Sequence, residues 1–235
     1  MAGNGNRFLA AGYTQIKPLI LIQGIPMIER VITASIPFEA NWIFIVQKVH
    51  RDLYELDRIL TTLRPGCQIV DTGGGVTEGA ACSVLLAAHL IDTDAPLIIL
   101  NSDNIVHWDT LAFTQMQENG LDGLILCFPA TDPKWSFALT DENGIVTQVA
   151  EKNPISSNAT AGLYIWARGD MFLQSARQMI EKNIRVNGEF YICPIYNESI
   201  TLGAKIGIDF VQSMHGVGTP EDLETYITGV LDTAQ

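Results

Sequence analysis

PLIILNSD, residues 96–103, is a continuous apolar run that closes on an acid. A strand with one wet face would alternate apolar and polar residues. A continuous run predicts a strand covered on both faces, and hence a mostly parallel sheet. The same reading extends outward to WIFIVQ (42–47), QIVDT (68–72) and DGLILCF (122–128). Between these runs lie stretches with helical spacing, from His50 to Leu63, from Glu78 to Leu90 and from Asp109 to Gln117. Strand and helix alternate, the arrangement of a doubly wound α/β fold.

After Pro129 the pattern changes. WSFALTDENGIVTQVAEK (135–152) reads as a hairpin, two alternating runs about Asp141-Glu142-Asn143-Gly144 in which Asn-Gly supplies the positive-φ turn. ATAGLYIWARG (159–169) predicts a further strand, Asp170–Lys182 an amphipathic helix and AKIGIDFVQSM (204–214) another strand. Thr219-Pro220-Glu221 opens a last helix, with threonine as N-cap, proline at the first helical position and acids in the first turn. No repeat, low-complexity tract or linker interrupts the chain. The expectation is one domain over residues 1–235, with an inserted hairpin.

At 235 residues and 47% apolar content, the chain can bury a core without disulfides or metal staples. Its four cysteines, Cys67, Cys82, Cys127 and Cys193, form no CxxC pair and read as reduced core thiols of a cytoplasmic protein. No apolar run approaches the roughly 20 residues of a membrane span. A net charge of -12 argues against nucleic acid or an anionic membrane as partner. It leaves a nucleotide open, because a few amides, one or two cations and a divalent metal suffice to hold a phosphate.

The segment GNGNR (3–7) lacks the Gly-Lys-Ser/Thr of a P-loop and the third glycine of a dinucleotide fingerprint. Alone, it reads more readily as a flexible terminus than as a binding loop. Arg7 and Lys17 shift that balance, since amides with little side chain cradle phosphate oxygens while two cations neutralise a leaving polyphosphate.

The Gly-x-Gly-x-Arg segment, followed by Lys17-Pro18-Leu19 and GIPMIERVI (24–32), resembles the signature of the sugar-nucleotide pyrophosphorylases, nucleotidyltransferases that join a nucleoside triphosphate to a sugar 1-phosphate. Further matches come in family order: TEGAACSV (77–84), NSDNI (101–105), AEKNP (150–154), ATAGLY (159–164), NGEFYICPIYN (187–197) and GVGTPEDL (216–223). The resemblance, glucose-1-phosphate thymidylyltransferases included, spans nearly the whole chain. It implies a Rossmann-like α/β fold with a mixed, mainly parallel sheet flanked by helices. Relatives carry a short apolar strand directly before the glycine loop, so the natural chain is expected to extend upstream of Met1.

The resemblance also implies roles. Gly3, Asn4 and Gly5 would hold the triphosphate with Arg7 and Lys17, and Gly79 would read the base. Asp103 would hold Mg²⁺, Lys152 would grip the acceptor phosphate, and Glu151, Gly162 and Glu189 would line the acceptor pocket. Each has a plainer reading: a turn or N-cap for Asp103, a solvated charge for Lys152, a tight turn for Asn187-Gly188-Glu189. The pattern departs from the family twice. The glutamine that helps relatives read the base is replaced by Thr72-Gly73-Gly74-Gly75, and an aspartate expected two to three residues before Gly218-Thr219 is missing from Met214-His215-Gly216-Val217. His215 is a poor substitute, because Mg²⁺ prefers oxygen ligands.

The implied activity is transfer of a nucleoside monophosphate to a sugar 1-phosphate for surface-polysaccharide precursors, with NTP and a phosphorylated small molecule as partners and a homodimer through the apolar hairpin as one option. The alternatives are a metal-dependent glycosyltransferase, a nucleotidyltransferase with a phosphorylated alcohol as acceptor, and a catalytically silent nucleotide-binding module.

Overall fold

The computed structural model describes residues 1–233. In chain order the strands are β1 (Leu21–Ile22), β2 (Ile25–Pro26), β3 (Ile43–Val46), β4 (Gln68–Asp71), β5 (Leu97–Leu100) and β6 (Asn104–His107). They continue with β7 (Gly123–Pro129), β8 (Ser136–Thr140), β9 (Val146–Glu151), β10 (Asn158–Trp166), β11 (Ile206–Phe210) and β12 (Ser213–Gly216). The described chain divides into two compact units, one of residues 1–76, 101–107 and the segment from 213 onward, the other of residues 77–100 and 108–212. No described helix is long and apolar enough to cross a membrane.

In the first unit β3 and β4 pair in parallel and β6 pairs with β12 antiparallel. Its core is Leu19, Ile28, Ile32, Phe44, Val46, Leu56 and Leu60. Two helices supply it at four-residue spacing, Met27–Ser35 through Ile28 and Ile32 and Leu56–Leu63 through Leu56 and Leu60. The helical stretch expected from His50 to Leu63 is two helices, Lys48–Leu53 and Leu56–Leu63, because Glu55 turns into the left-handed region at φ 49°.

In the second unit the six-stranded sheet is ordered β11-β7-β10-β8-β9, with β5 paired to β10. Among the described strands, parallel pairing is confined to β3–β4 and β7–β11. The sheet is therefore mixed as expected, with a smaller parallel share than the apolar runs suggested. Such runs report burial on both faces, not direction. Ala159–Trp166 of β10 is buried throughout, yet β10 runs antiparallel to β5, β7 and β8. The helix Gly169–Glu181 covers this sheet unit's core with Phe172, Leu173, Ala176 and Met179. Trp166 and Tyr196 stack at 4.0 Å, and the Tyr196 hydroxyl donates to the Leu124 and Ile165 carbonyls.

Two more expected elements are divided. The stretch Glu78–Leu90 forms helices Ala80–Leu85 and Ala88–Ile91, separated where Leu86 and Ala87 make tighter bonds to residues three back. The run 204–214 supplies β11 to one unit and then β12 to the other. The hairpin at 136–151 forms as read, with Gly144 at φ 79° in its turn. The last helix, Pro220–Thr233, is capped by Thr219, whose hydroxyl accepts from the Asp222 amide at 3.1 Å.

Candidate active site

The glycine segment of the first unit is an ordered turn. Gly5 at φ 65° is the left-handed N-cap of the short helix Asn6–Ala10, and its carbonyl accepts from the Phe8 and Leu9 amides. Phe8 is buried and anchors that helix, while the Arg7 side chain stands exposed. Gly3 and Asn4 are exposed too, and the residues on either side of Gly3 are held by Gln47. This side chain is 4% exposed and its amide donates to the Ala2 carbonyl at 2.9 Å and to Asn4 Oδ1 at 3.1 Å. A buried amide spending both protons on one loop fixes that loop's path. Gln47 carried no sequence signal, being the polar end of an apolar run.

Lys17 begins the 3-10 turn Lys17–Leu19, with Pro18 fixing the backbone behind it. Its ammonium contacts the Asp103 carboxylate and lies 5.8 Å from the Phe8 ring centroid. Asp103 is three residues past the end of β5, in the turn leading into β6, so the strand-end position expected for it becomes a turn position. Its carbonyl accepts from the Val217 amide at 2.8 Å. Gly218 follows, and a Cβ there would lie 3.0 Å from Asp103 Oδ2 and 3.6 Å from Lys17 Nζ. The bare backbone at Gly218 is what leaves room for this carboxylate beside the lysine. A cavity of about 180 Å³ adjoins the loop, with Asn4, Gly5, Gln15, Lys17, His50 and Tyr54 among its walls. Burial holds the His50 imidazole below its ordinary pKa.

In the stretch where the resemblance led to an expected acid, His215 faces Ile105 and Gly216 faces Asn104 in the β6–β12 ladder. The ring of His215 packs at 5.1 Å on Tyr226. Among the described residues no three His, Cys, Asp or Glu side chains cluster to hold a metal. The donor set fits a magnesium ion in a one-carboxylate form, since Mg²⁺ is commonly held by one or two carboxylates plus substrate phosphates.

In the second unit the fold gathers Glu151, Lys152 and Glu189. Glu151 ends β9 opposite Ser136, whose hydroxyl donates to its carboxylate. Burial raises the Glu151 pKa, Ser136 and Lys152 oppose that rise, and the Glu189 charge adds to it. Lys152 is held in the left-handed region at φ 56°, its amide donating to the Trp135 carbonyl at 3.0 Å. Its ammonium donates to the Tyr191 hydroxyl at 2.6 Å and lies 4.5 Å from that ring's centroid. Glu189 closes a tight turn through Asn187 (φ 49°) and Gly188 (φ 82°), bridging back to Val186. Arg185 braces this turn, donating to the Gly188 carbonyl at 2.9 Å and to Glu78 at 2.5 Å, with its guanidinium over the Phe190 ring at 3.9 Å.

Gly79 has a packing role. At φ 134° it caps the helix Ala80–Leu85, and a Cβ on it would overlap the Phe190 carbonyl and lie 2.5 Å from the Phe190 nitrogen. The two segments are stitched by Phe190 N–H to the Glu78 carbonyl (2.8 Å) and Ala81 N–H to the Phe190 carbonyl (3.0 Å). Gly162 sits at φ 75° where the β7–β10 register shifts between Thr160 and Tyr164, a bulge that needs a glycine. Tyr191 and Ser136 were not singled out in the sequence, since a lone tyrosine or serine has no spacing to betray it.

A family model described as nucleotidyl transferase matches residues 1–212. The chain belongs to the nucleotidyl transferase family. As a nucleotidyltransferase it shares its fold with the nucleoside-diphosphate-sugar pyrophosphorylase of Vibrio cholerae RC9, at 25% identity and a TM-score of 0.83 over 97% of each chain. It also resembles a UDP-glucose pyrophosphorylase solved with UDP-glucose, at 16% identity and a TM-score of 0.74, covering 99% of this nucleotidyltransferase and 96% of that protein. The second likeness concerns the fold alone.

Proposed function

We propose that this nucleotidyltransferase transfers a nucleoside monophosphate from an NTP to a sugar 1-phosphate and releases pyrophosphate. The observation that carries the reading is the ordered glycine turn with Lys17 drawn against Asp103 beside it. Gly3, Asn4 and Gly5 offer amides to the triphosphate, and Arg7 and Lys17 neutralise the charge that develops on departing pyrophosphate. Lys152 holds the acceptor phosphate, while Glu151, Glu189 and Gly162 frame the acceptor and Gly79 the base. The acceptor phosphate oxygen attacks the α-phosphorus in line, so no side-chain nucleophile is needed and catalysis is positioning plus charge neutralisation. A magnesium ion held by Asp103 and the substrate phosphates would add charge neutralisation at the reacting phosphate. The product would feed surface-polysaccharide synthesis in the cytoplasm.

The test is pyrophosphate release with Mg²⁺, each of CTP, UTP, dTTP, GTP and ATP, and a panel of sugar 1-phosphates and phosphorylated alcohols. Sugar-1-phosphate-dependent release with one base is expected. Release only with a phosphorylated alcohol would move the acceptor class. A second reading, a silent nucleotide-binding module, is favoured by glycine at position 216. Binding of NTP without release from any combination would establish it.

A further inference from the structure

We propose that Tyr191 is the positioning residue for Lys152, holding its ammonium ready for the phosphate of the acceptor. The inference rests on the acceptor role given to Lys152 above and adds the group that orders this lysine.

Lys152 is restrained at both ends. Its backbone is pinned in the left-handed region by the bond to the Trp135 carbonyl, and its ammonium by the Tyr191 hydroxyl at 2.6 Å. A lysine backbone adopts that conformation at a cost, and such strain persists where the surroundings impose it. A free lysine side chain has several rotatable bonds to freeze when it binds a ligand. Here one of its three protons is already given to the phenol, which leaves two for an incoming phosphate. The phenol accepts from Lys152, and burial raises its own pKa, so it stays a neutral hydroxyl.

The position of Tyr191 is itself imposed. Phe190, next in the chain, is locked beneath Gly79 by two backbone hydrogen bonds and under the Arg185 guanidinium. The rigidity of that segment passes to Tyr191 and from it to Lys152. Ordering completed before the ligand arrives improves affinity without adding a contact to the ligand.

Inorganic phosphate is the probe, because every acceptor considered contains it. The full chain labelled with ¹⁵N-lysine gives an ε-ammonium spectrum in which Lys152 is assigned by its loss in Lys152→Arg. In the unsubstituted chain the Lys152 signal is expected to be sharp and to move as phosphate is added. Tyr191→Phe keeps the ring and the fold, which circular dichroism checks. It is expected to broaden the Lys152 signal and raise the half-saturating phosphate about five-fold. In turnover it raises KM for the acceptor and leaves KM for the NTP unchanged. A Lys152 signal that moves equally in both chains overturns the role of Tyr191 and leaves that of Lys152 standing. A signal that ignores phosphate in the unsubstituted chain overturns the acceptor role of Lys152 itself, and this inference with it.

Discussion

Lys17 and Asp103, 86 residues apart in the chain, meet as a part-buried ion pair beside the glycine turn. Their side chains keep 20% and 29% of their exposure, so water screens the attraction. The pair is therefore worth less than about 1 kcal/mol to folding. Lys17→Met is expected to lower the melting temperature by less than about 4 °C. It should slow pyrophosphate release about 100-fold, the cost of removing a placed charge from a developing one. Calorimetry and initial rates on the same sample check both, and an unchanged rate would take Lys17 out of the triphosphate site.

Gly218→Ala probes the same pair from its other side. The added Cβ would press on Asp103 Oδ2 at 3.0 Å, and a carboxylate can swing away where backbone cannot. Stability should hardly change, while the rate falls about ten-fold because displacements under an ångström are enough to spoil a reacting geometry. A lower melting temperature with an unchanged rate would assign Gly218 to folding alone.

Gly79→Ala has the opposite signature. Its Cβ meets the Phe190 backbone, which two hydrogen bonds hold in place, and φ 134° is closed to alanine. A loss of about 3 kcal/mol is expected, or about 10 °C in melting temperature. Gly203→Ala serves as the control: φ is 93° but nothing lies within 4 Å, so only backbone strain remains, about 1 kcal/mol. Equal losses in the two variants would contradict the Phe190 contact.

The raised Glu151 carboxyl predicts a pH effect of definite sign. Burial makes the folded chain bind its proton more tightly than the unfolded chain, whose value is 4.5. The stabilisation is full below pH 4.5 and is lost as pH climbs through the higher folded value. Glu151→Gln removes that titration, so its melting temperature should gain on the unsubstituted chain as pH is raised from 4.5 to 7. Parallel melting curves for the two chains would refute it.

Thiol labelling at pH 8 should separate the four cysteines into pairs. Cys67 and Cys82 are partly exposed, so although burial raises both thiols they should label in the native protein, more slowly than a free thiol. Cys127 and Cys193 are buried, which pushes the first up to about 12 and the second well above its ordinary value. These two should label only on unfolding, since the thiolate is the reactive form. Rapid labelling of all four in the native protein would rule out this burial.

The parts of the fold that were legible in the sequence are those whose signal is local. The hairpin at 136–151 could be read because its side chains alternate about an Asn-Gly turn, and the last helix because Thr219 and Pro220 mark its start. Lys17, Asp103, Glu151, Lys152 and Glu189 were found as members of a pattern of fixed order, although each alone is an ordinary surface charge. The break at Glu55 was hidden, because nothing in Tyr54-Glu55-Leu56 forbids a continuous helix. So was the antiparallel course of β10, since apolarity records what covers a strand and not which way its neighbour runs.

The amino-acid sequence by itself determined that this is an α/β nucleotidyltransferase, and which loops carry its charged and glycine residues, because apolar period, turn chemistry and motif order are properties of neighbours along the chain. Only the tertiary structure decided that Lys17 rests on Asp103, that Gly79 is a glycine because Phe190 lies against it, and that Tyr191 receives Lys152. Those are contacts between residues 39 to 111 positions apart, set by how strands and turns pack, and no local preference of either partner specifies them.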